Sequence, residues 1–457
     1  MYRYVKDPES SFCHCPLRSM VYEQDERPMV RLARQINISF MENAMIDLNR
    51  LRNEFEQTKE LILRKEPTFN VDRLMELDKL VRSINSEVEN LRKIKNDLAS
   101  AGSKGITPEI RQKSIELGKE LKSKEDELAS LDHEYKNLWL ACPNIPSSDI
   151  PLGGKEANKP VRVIGKKPEF TFKIKNHVEL NENAKWFDFE TAAKMSGAQF
   201  PLYRGQGVKV IYALTRMMLK NNVKHGFEPV IPPYLVTDNA LYNSGNLPKF
   251  RGDYYTLPED GLNLIPTAEV SLTNIYADKI LSAQEMPMRM TSWTSCFRRE
   301  AGTYGATERG LIRVHQFEKV ELYSICEPEK SFTELEMMVG CAEEILKALG
   351  LHYRVSLLAA QDCSFSSAKT YDIEVWLPGQ NQFYEVSSCS NCTDFQSRRS
   401  KIRYRKDHDS KPEIAHTLNA SSLALPRLMV ALLENYQQED GSIKLPEALV
   451  KEMSEVW

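Results

Sequence analysis

From residue 71 to residue 138 apolar positions return every third or fourth residue. Leu74, Val81 and Val88 share one heptad position and Leu77, Ile84, Leu91 and Leu98 the other, which predicts a long helix with one apolar seam. Ala101-Gly102-Ser103-Lys104-Gly105 interrupts the pattern. Thr107-Pro108 restarts it, with threonine suited to the N-cap and proline to the first helical position. The second seam runs through Ile110, Leu117, Leu121, Leu128, Leu131, Tyr135 and Leu138. Two such helices joined by a short glycine loop make an antiparallel coiled-coil hairpin, each arm about 30 residues and ~45 Å long. Periodicity alone favours a dimerisation coil or two helices of a bundle.

The pattern then changes. Residues 141–167 are rich in Pro and Gly (CPNIPSSDIPLGG) and mark a domain boundary. Beyond them short alternating segments and separated helices predict an α+β layout, an antiparallel sheet flanked by helices. No sustained βαβ rhythm, G-x-G-x-x-G or P-loop sequence is present. Within this part, residues 296–323 hold two runs around the glycine-rich loop AGTYGATERG. The first run ends in Phe297-Arg298-Arg299-Glu300, and the second, 311–323, alternates as a half-buried strand does. Arg298, Glu300, Arg313, Glu318, Lys319 and Glu321 are too many charges for a core unless paired or turned to a ligand. On these residues alone a solvated hairpin is an equal reading.

Composition narrows the class. The 457 residues, 27% charged and 41% hydrophobic, suit two or three domains of a soluble globular protein. A net charge of -3 does not announce a nucleic-acid binder, so any RNA contact has to come from local patches. No apolar run approaches the roughly 20 residues that span a bilayer, and no membrane partner is expected. Nine widely spaced cysteines fit a reducing, cytoplasmic setting better than a disulfide framework. Near the start, Cys13-His14-Cys15 lacks a second ligand pair for a metal. The same segment has no apolar stretch for a secretory signal, and Asp7, Glu9, Glu23, Asp25 and Glu26 interrupt what a transit peptide needs.

Arg298-x-Glu300, a variable loop and then Phe317-x-Lys319-x-Glu321 resemble motif 2 of class II aminoacyl-tRNA synthetases. The wording FRREAG…RGLIRVHQFEKVE is similar to the seryl-tRNA synthetase family of bacterial type. Residues 225–233 (HGFEPVIPP) resemble motif 1, which in that family forms part of the dimer interface. Thr267-Ala268-Glu269 resembles the serine-binding loop, YEVSSCSNC (384–392) the metal-approaching strand, and HTLNASSLALPR (416–427) motif 3. The likeness spans about residues 45–457. Met45-Ile46-Asp47-Leu48 resembles the family's opening, which makes residues 1–44 an appendage or the product of a misplaced start codon.

The resemblance implies a class II antiparallel sheet flanked by helices, with an N-terminal antiparallel two-helix coiled-coil arm. It implies an extension at 1–44, a tRNA-binding arm domain at 45–145 and a catalytic domain at 146–457. The implied activity makes seryl-adenylate from L-serine and ATP with Mg²⁺, then charges tRNA-Ser and tRNA-Sec, in a homodimer. Acidic and basic side chains nearly balance along the arm, leaving Arg92, Lys93 and Lys95, or Lys119, Lys122 and Lys124, as phosphate contacts.

By the same resemblance Arg298 binds the α-phosphate and the serine carboxylate, and Arg427 the γ-phosphate; both are the implied catalytic arginines. Thr267, Ala268, Glu269, Glu321, Asn419 and Ser421 surround serine. Arg299, Glu300, Val314, Phe317, Val386 and Ser387 surround ATP, with Phe317 stacked on adenine and the backbone near Val314 reading its edge. Glu385 and Ser388 approach Mg²⁺ and the phosphates. No general base is needed, because the serine carboxylate is already a nucleophile toward phosphorus; alignment and charge neutralisation suffice. His315 is then a structural residue.

Some residues keep a plainer reading beside this one. Thr267-Ala268-Glu269 alone is a helix cap, although in extended chain its hydroxyl and carboxylate would share a side. Cys389-x-x-Cys392 lacks the second pair of a zinc site. The basic run 398–406 is an RNA contact or a solvated strand face. Ala420 and Ser422 stand where the bacterial wording has glycines. Two other functions compete: a non-catalytic RNA-binding paralogue, opposed by the joint presence of the charged site residues, and a ligase for carrier proteins, opposed by the arm.

Overall fold

The computed structural model describes residues 46–102, 107–300 and 310–456. The expectations for residues 1–44 and for the loop at 301–309 fall outside the described residues; of the expected break at 101–105, Ala101 and Gly102 still belong to the first long helix, and 103–105 lie outside the described residues. The heptad runs become α1 (Val71–Gly102) and α2 (Pro108–Leu140). Thr107 caps α2 as expected, its Oγ1 accepting from the Ile110 N–H at 3.3 Å. Arg73 pairs with Glu134 and Lys124 with Glu87, so the two helices run antiparallel. Leu74, Leu77, Val81, Ile84 and Val88 are buried, with Leu117, Leu121 and Tyr135 from α2. Leu91, Leu98 and Leu128, farther out, are half-buried.

Eight strands form the main sheet: β1 (Lys159–Ile164), β2 (Glu228–Pro229), β3 (Met288–Phe297), β4 (Gln316–Cys326), β5 (Tyr353–Leu357), β6 (Lys369–Leu377), β7 (Gln382–Thr393) and β8 (His416–Ala424). Their spatial order is β1-β5-β6-β7-β8-β4-β3-β2. All pairings are antiparallel except the edge pair β2–β3. The helices that frame it are α3 (Gln206–Lys224), α4 (Ala268–Ile275), α5 (Ser331–Ala348), α6 (Phe395–Ser400) and α7 (Leu425–Asn435). This is the α+β arrangement the pattern predicts.

Strand alternation divides the sheet chemically. Val320, Leu322, Ile373, Val375, Cys389, Leu418 and Ala420 enter one apolar core with α3, α5 and α7. Phe317, Lys319, Glu321, Ser390, Asn419 and Ser421, their neighbours along the strands, line a cavity. One face therefore supplies stability and the other is available for polar chemistry.

The hairpin differs from its sequence expectation at both ends. β3 stops at Phe297, and the second strand begins at Gln316 rather than Leu311. Gly310–Ile312 is a 3₁₀ turn in which the adjacent Leu311 and Ile312 both bury, which an alternating strand does not allow. The Leu311 N–H donates to His177 Nε2 at 3.3 Å, and His177 Nδ1 lies 3.0 Å from the buried Glu434 carboxylate. Gly310 takes φ +67°, and a Cβ there would stand 2.2 Å from His177 Nε2, so glycine is required.

Candidate active site

The cavity, about 320 Å³, opens where β4, β7 and β8 meet the N-termini of α4 and α7. It gathers Thr267, Glu269, Arg298, Glu300, Val314, Phe317, Glu321, Glu385, Val386, Ser388, Asn419, Ser421 and Arg427 from four separate stretches of chain. Three of the expected residues stay outside. Ala268 is fully buried in the first turn of α4, against Tyr323 and Met290. Arg299 turns away, its N–H bonded to the Asp253 carbonyl and its guanidinium 6.0 Å from the Tyr255 ring. Ser387 is buried on the opposite face of β7, its hydroxyl donating to the Ser421 carbonyl at 2.5 Å.

At one end Thr267 is both things its sequence allowed. It is the N-cap of α4, and it lines the cavity. The chain does not continue extended past it, so Glu269 reaches the cavity from the first helical turn. The Thr267 hydroxyl donates to Glu321 Oε2 at 3.0 Å and accepts from Lys319 Nζ at 2.8 Å. Lys319 also forms an ion pair with Glu321, two residues along the same face of β4. Glu269 is held differently: Gln396 Nε2 and Asn419 Nδ2 both donate to its Oε1, at 2.6 and 2.9 Å. Burial first, and the Glu321 charge second, raise its pKa to about 7.

At the other end a bulge sets the geometry. Glu385 and Ser388 are three residues apart and would face opposite sides of a regular strand. Glu374 pairs with Glu385 and Ile373 with Ser387, leaving Val386 extra, and this shift brings both side chains into the cavity. A second shift at Ser422 does the same for Asn419, Ser421 and Ala424. Ala420 and Ser422 therefore lie in strand β8. Ala420 packs in the core, and the Ser422 hydroxyl donates to Asn222 Oδ1 at 2.9 Å.

Arg427 projects from the first turn of α7, with Nη1 donating to the Glu385 carbonyl at 2.8 Å and Nε to the Ile312 carbonyl at 3.2 Å. Arg298 donates from Nε to the Pro266 carbonyl at 3.3 Å, and its guanidinium lies 5.1 Å from the Phe317 ring. Glu300 pairs with Arg313 at 2.6 Å. Behind Ser388, Asp372 sits opposite across β6–β7 with Oδ1 buried and lacking a hydrogen-bond partner among the described residues. Burial, reinforced by the Glu385 charge, lifts its pKa well above the usual carboxylate range. The Glu385 carboxylate and the Ser388 hydroxyl, both on the cavity wall, are oxygen ligands that fit a hard divalent cation keeping several waters.

Other residues singled out in the sequence have plainer surroundings. His315 Nδ1 meets the Arg298 carbonyl at 3.0 Å and its ring packs by Phe200, a structural arrangement. Cys389 and Cys392 face opposite sides of β7: the first joins the core, the second lies 3.4 Å from Asn419 Nδ2. Arg398 and Arg399 do not offer an RNA surface. Arg398 pairs with Asp394 and Asp47, and Arg399 is buried against the carbonyls of Leu247 and Leu140. On the arm, Arg92 and Lys124 are paired across the seam with Glu125 and Glu87, while Lys93, Lys95, Lys119 and Lys122 are exposed. Lys319, Gln396 and Asp372 have no role in the sequence reading. Only Lys319 carried a signal, its even spacing from Phe317 and Glu321.

Residues 255–436 match the tRNA synthetase class II core domain (G, H, P, S and T), and residues 45–146 the seryl-tRNA synthetase N-terminal domain. A serine–tRNA ligase of Geobacter sulfurreducens is 45% identical over 411 residues, 89% of this chain and 97% of that one. The chain belongs to the seryl-tRNA synthetase family. Among solved members, the seryl-tRNA synthetase of Pyrococcus horikoshii complexed with ATP is similar with a TM-score of 0.83 at 35% identity, covering 90% of this chain and 98% of that one. The cytoplasmic serine–tRNA ligase of Naegleria fowleri in complex with AMP has a TM-score of 0.77 at 26% identity, over 90% and 98% of the two chains. The core match contains every site residue from Thr267 to Arg427.

Proposed function

We propose that this chain is a serine–tRNA ligase that activates L-serine with ATP and transfers the seryl group to the 3′ end of tRNA-Ser, with tRNA-Sec as a further substrate. The observation that carries this reading is the convergence of Arg298 and Arg427 on one cavity with Glu269 and Glu321 at its amino-acid end. In the first step the serine carboxylate attacks the α-phosphorus and pyrophosphate leaves; in the second the terminal ribose hydroxyl attacks the seryl carbonyl and AMP leaves. Arg298 holds the serine carboxylate and the α-phosphate, and Arg427 the γ-phosphate, so that attacking and leaving groups are aligned and their charge offset. Phe317 presents its ring to adenine, with Glu300 and the Val314 backbone beside it and Val386 below.

At the serine end, Glu269 Oε2 takes the ammonium while Thr267, Glu321, Asn419 and Ser421 surround the side chain. Alanine would leave this polar lining unpaired and threonine would crowd it. Glu385 and Ser388 would hold Mg²⁺, which supplies positive charge to the phosphate oxygens when bound. Residues 45–145 act as the tRNA-holding arm and 146–457 as the catalytic body, in a homodimer.

The test is serine-dependent ATP–pyrophosphate exchange on the purified protein with Arg298→Ala beside it, followed by charging of tRNA-Ser transcripts. Exchange falls by at least ~100-fold in the variant, and the wild type charges tRNA. Exchange without charging would favour a carrier-protein ligase. A folded protein with no exchange would leave the RNA-binding paralogue.

A further inference from the structure

Gln396 lies on α6, outside every motif quoted above, and is fully buried. Its Oε1 accepts from the Thr417 hydroxyl at 2.7 Å and the Tyr323 hydroxyl at 3.1 Å. Its Nε2 donates to the Ser244 carbonyl at 2.9 Å and to Glu269 Oε1 at 2.6 Å. The amide therefore has one workable orientation, because flipping it would set its oxygen against a carbonyl and a carboxylate. Two strands, β4 and β8, hold the oxygen through Tyr323 and Thr417, and the backbone after helix Asp238–Asn243 holds one N–H. The remaining N–H is fixed in direction and points at a single carboxylate oxygen.

Asn419 Nδ2 reaches the same Oε1 from β8 at 2.9 Å. Glu269 Oε1 is thus saturated by two amide donors, and no hydrogen bond reaches Oε2 among the described residues. We propose that Gln396 is a positioning residue of the amino-acid site, fixing the Glu269 carboxylate so that Oε2 alone is presented to the substrate ammonium. This rests on reading the cavity as a serine site, and it adds a residue that does not itself line that cavity.

A second consequence concerns charge. Glu269 is half-buried, and its desolvation and the Glu321 charge on β4 favour its protonated form; Lys319 on β4, the Gln396 amide and Arg298 oppose these effects. Removing the Gln396 donor leaves the ionised carboxylate less supported, so its protonation moves to higher pH. Asn419 cannot replace both roles, since it is one donor on the same oxygen. A residue that only filled space at this position would have no such directional effect.

The experiment is pyrophosphate exchange on the full chain across pH 6–9, measuring KM for serine and for ATP. Gln396→Met is expected to raise KM for serine by at least ~10-fold, leave KM for ATP and kcat within about threefold, and move the rise of serine KM at low pH upward by about one pH unit. Gln396→Glu, which keeps the shape but places an acid against Glu269, moves that rise further. Thr417→Val, which removes only one support of the Gln396 oxygen, gives a smaller shift in the same direction and decides the matter should the Gln396 variants not fold. Unchanged serine KM and an unmoved pH profile in folded variants would overturn the proposal alone. Wild-type exchange that does not depend on serine would overturn the serine site and this proposal together.

Discussion

Glu269 concentrates the chemistry of the amino-acid end in one side chain. Without ligand it is a carboxylate held in a buried place beside another carboxylate, with a pKa of about 7 against an ordinary value near 4.5. The folded state therefore holds this proton more tightly than the unfolded chain. Stability is greatest while both states are protonated, is lost as pH rises from about 4.5 to 7, and stays low above that. Glu269→Gln removes the penalty and should stabilise the ligand-free protein by about 3 kcal/mol at pH 8 with little gain at pH 4. Urea unfolding at both pH values checks this, and equal gains would contradict it. The same variant should lose the ammonium partner, raising KM for serine at least ~100-fold. The stored cost is thus released on binding, when the substrate brings a positive charge to the site.

Elements explain which residues were legible. Phe317, Lys319 and Glu321 alternate on a regular strand, and that spacing alone places them on one face. The heptads likewise give α1 and α2, whose C-terminal ends each run about two residues past the expected ones, and Thr107 gives the start of α2. Glu385 and Ser388 are different: their shared face depends on the extra Val386, and nothing in the local sequence marks a bulge. The 3₁₀ turn at Leu311 was hidden for a related reason, since its N–H is held by His177, itself backed by Glu434, both far away in sequence. Gln396 and Asp372 are invisible without the fold because their partners come from other elements. The arm allows a clean separation of functions at this scale. Leu121 is buried in the seam with Ile84 and Val88, so Leu121→Ala should destabilise the hairpin by about 2–5 kcal/mol. Thermal unfolding and tRNA titration check the outcome: KM for tRNA-Ser rises several-fold while serine-dependent exchange stays within twofold. A parallel loss of exchange would mean that the arm supports the catalytic body itself.

At the scale of the whole molecule, the base of the arm and the floor of the site share α6. Arg398 ties α6 to Asp47 at 2.9 Å, Arg399 reaches the carbonyl ending α2, and Gln396 holds Glu269 at the cavity. The opposite edge of the sheet is less complete. β2 is an edge strand of two residues, and just beyond it Ile231 is 88% exposed, with Val223 at 48% and Leu235 at 42%. A large apolar group such as Ile231 beside an open sheet edge is unfavourable in water and fits contact with a second copy. The consequence reaches the active site through β3: the Val230 N–H bonds to the Thr291 carbonyl, and β3 leads directly to Arg298. Ile231→Asp places a charge where such contact would bury it. Sedimentation should then give half the wild-type mass at micromolar concentration, with exchange reduced at least ~10-fold through loss of support for β3. A wild-type protein that sediments as a fully active monomer would refute the dimer, and an active monomeric variant would show that the edge of the sheet needs no partner to hold Arg298 in place.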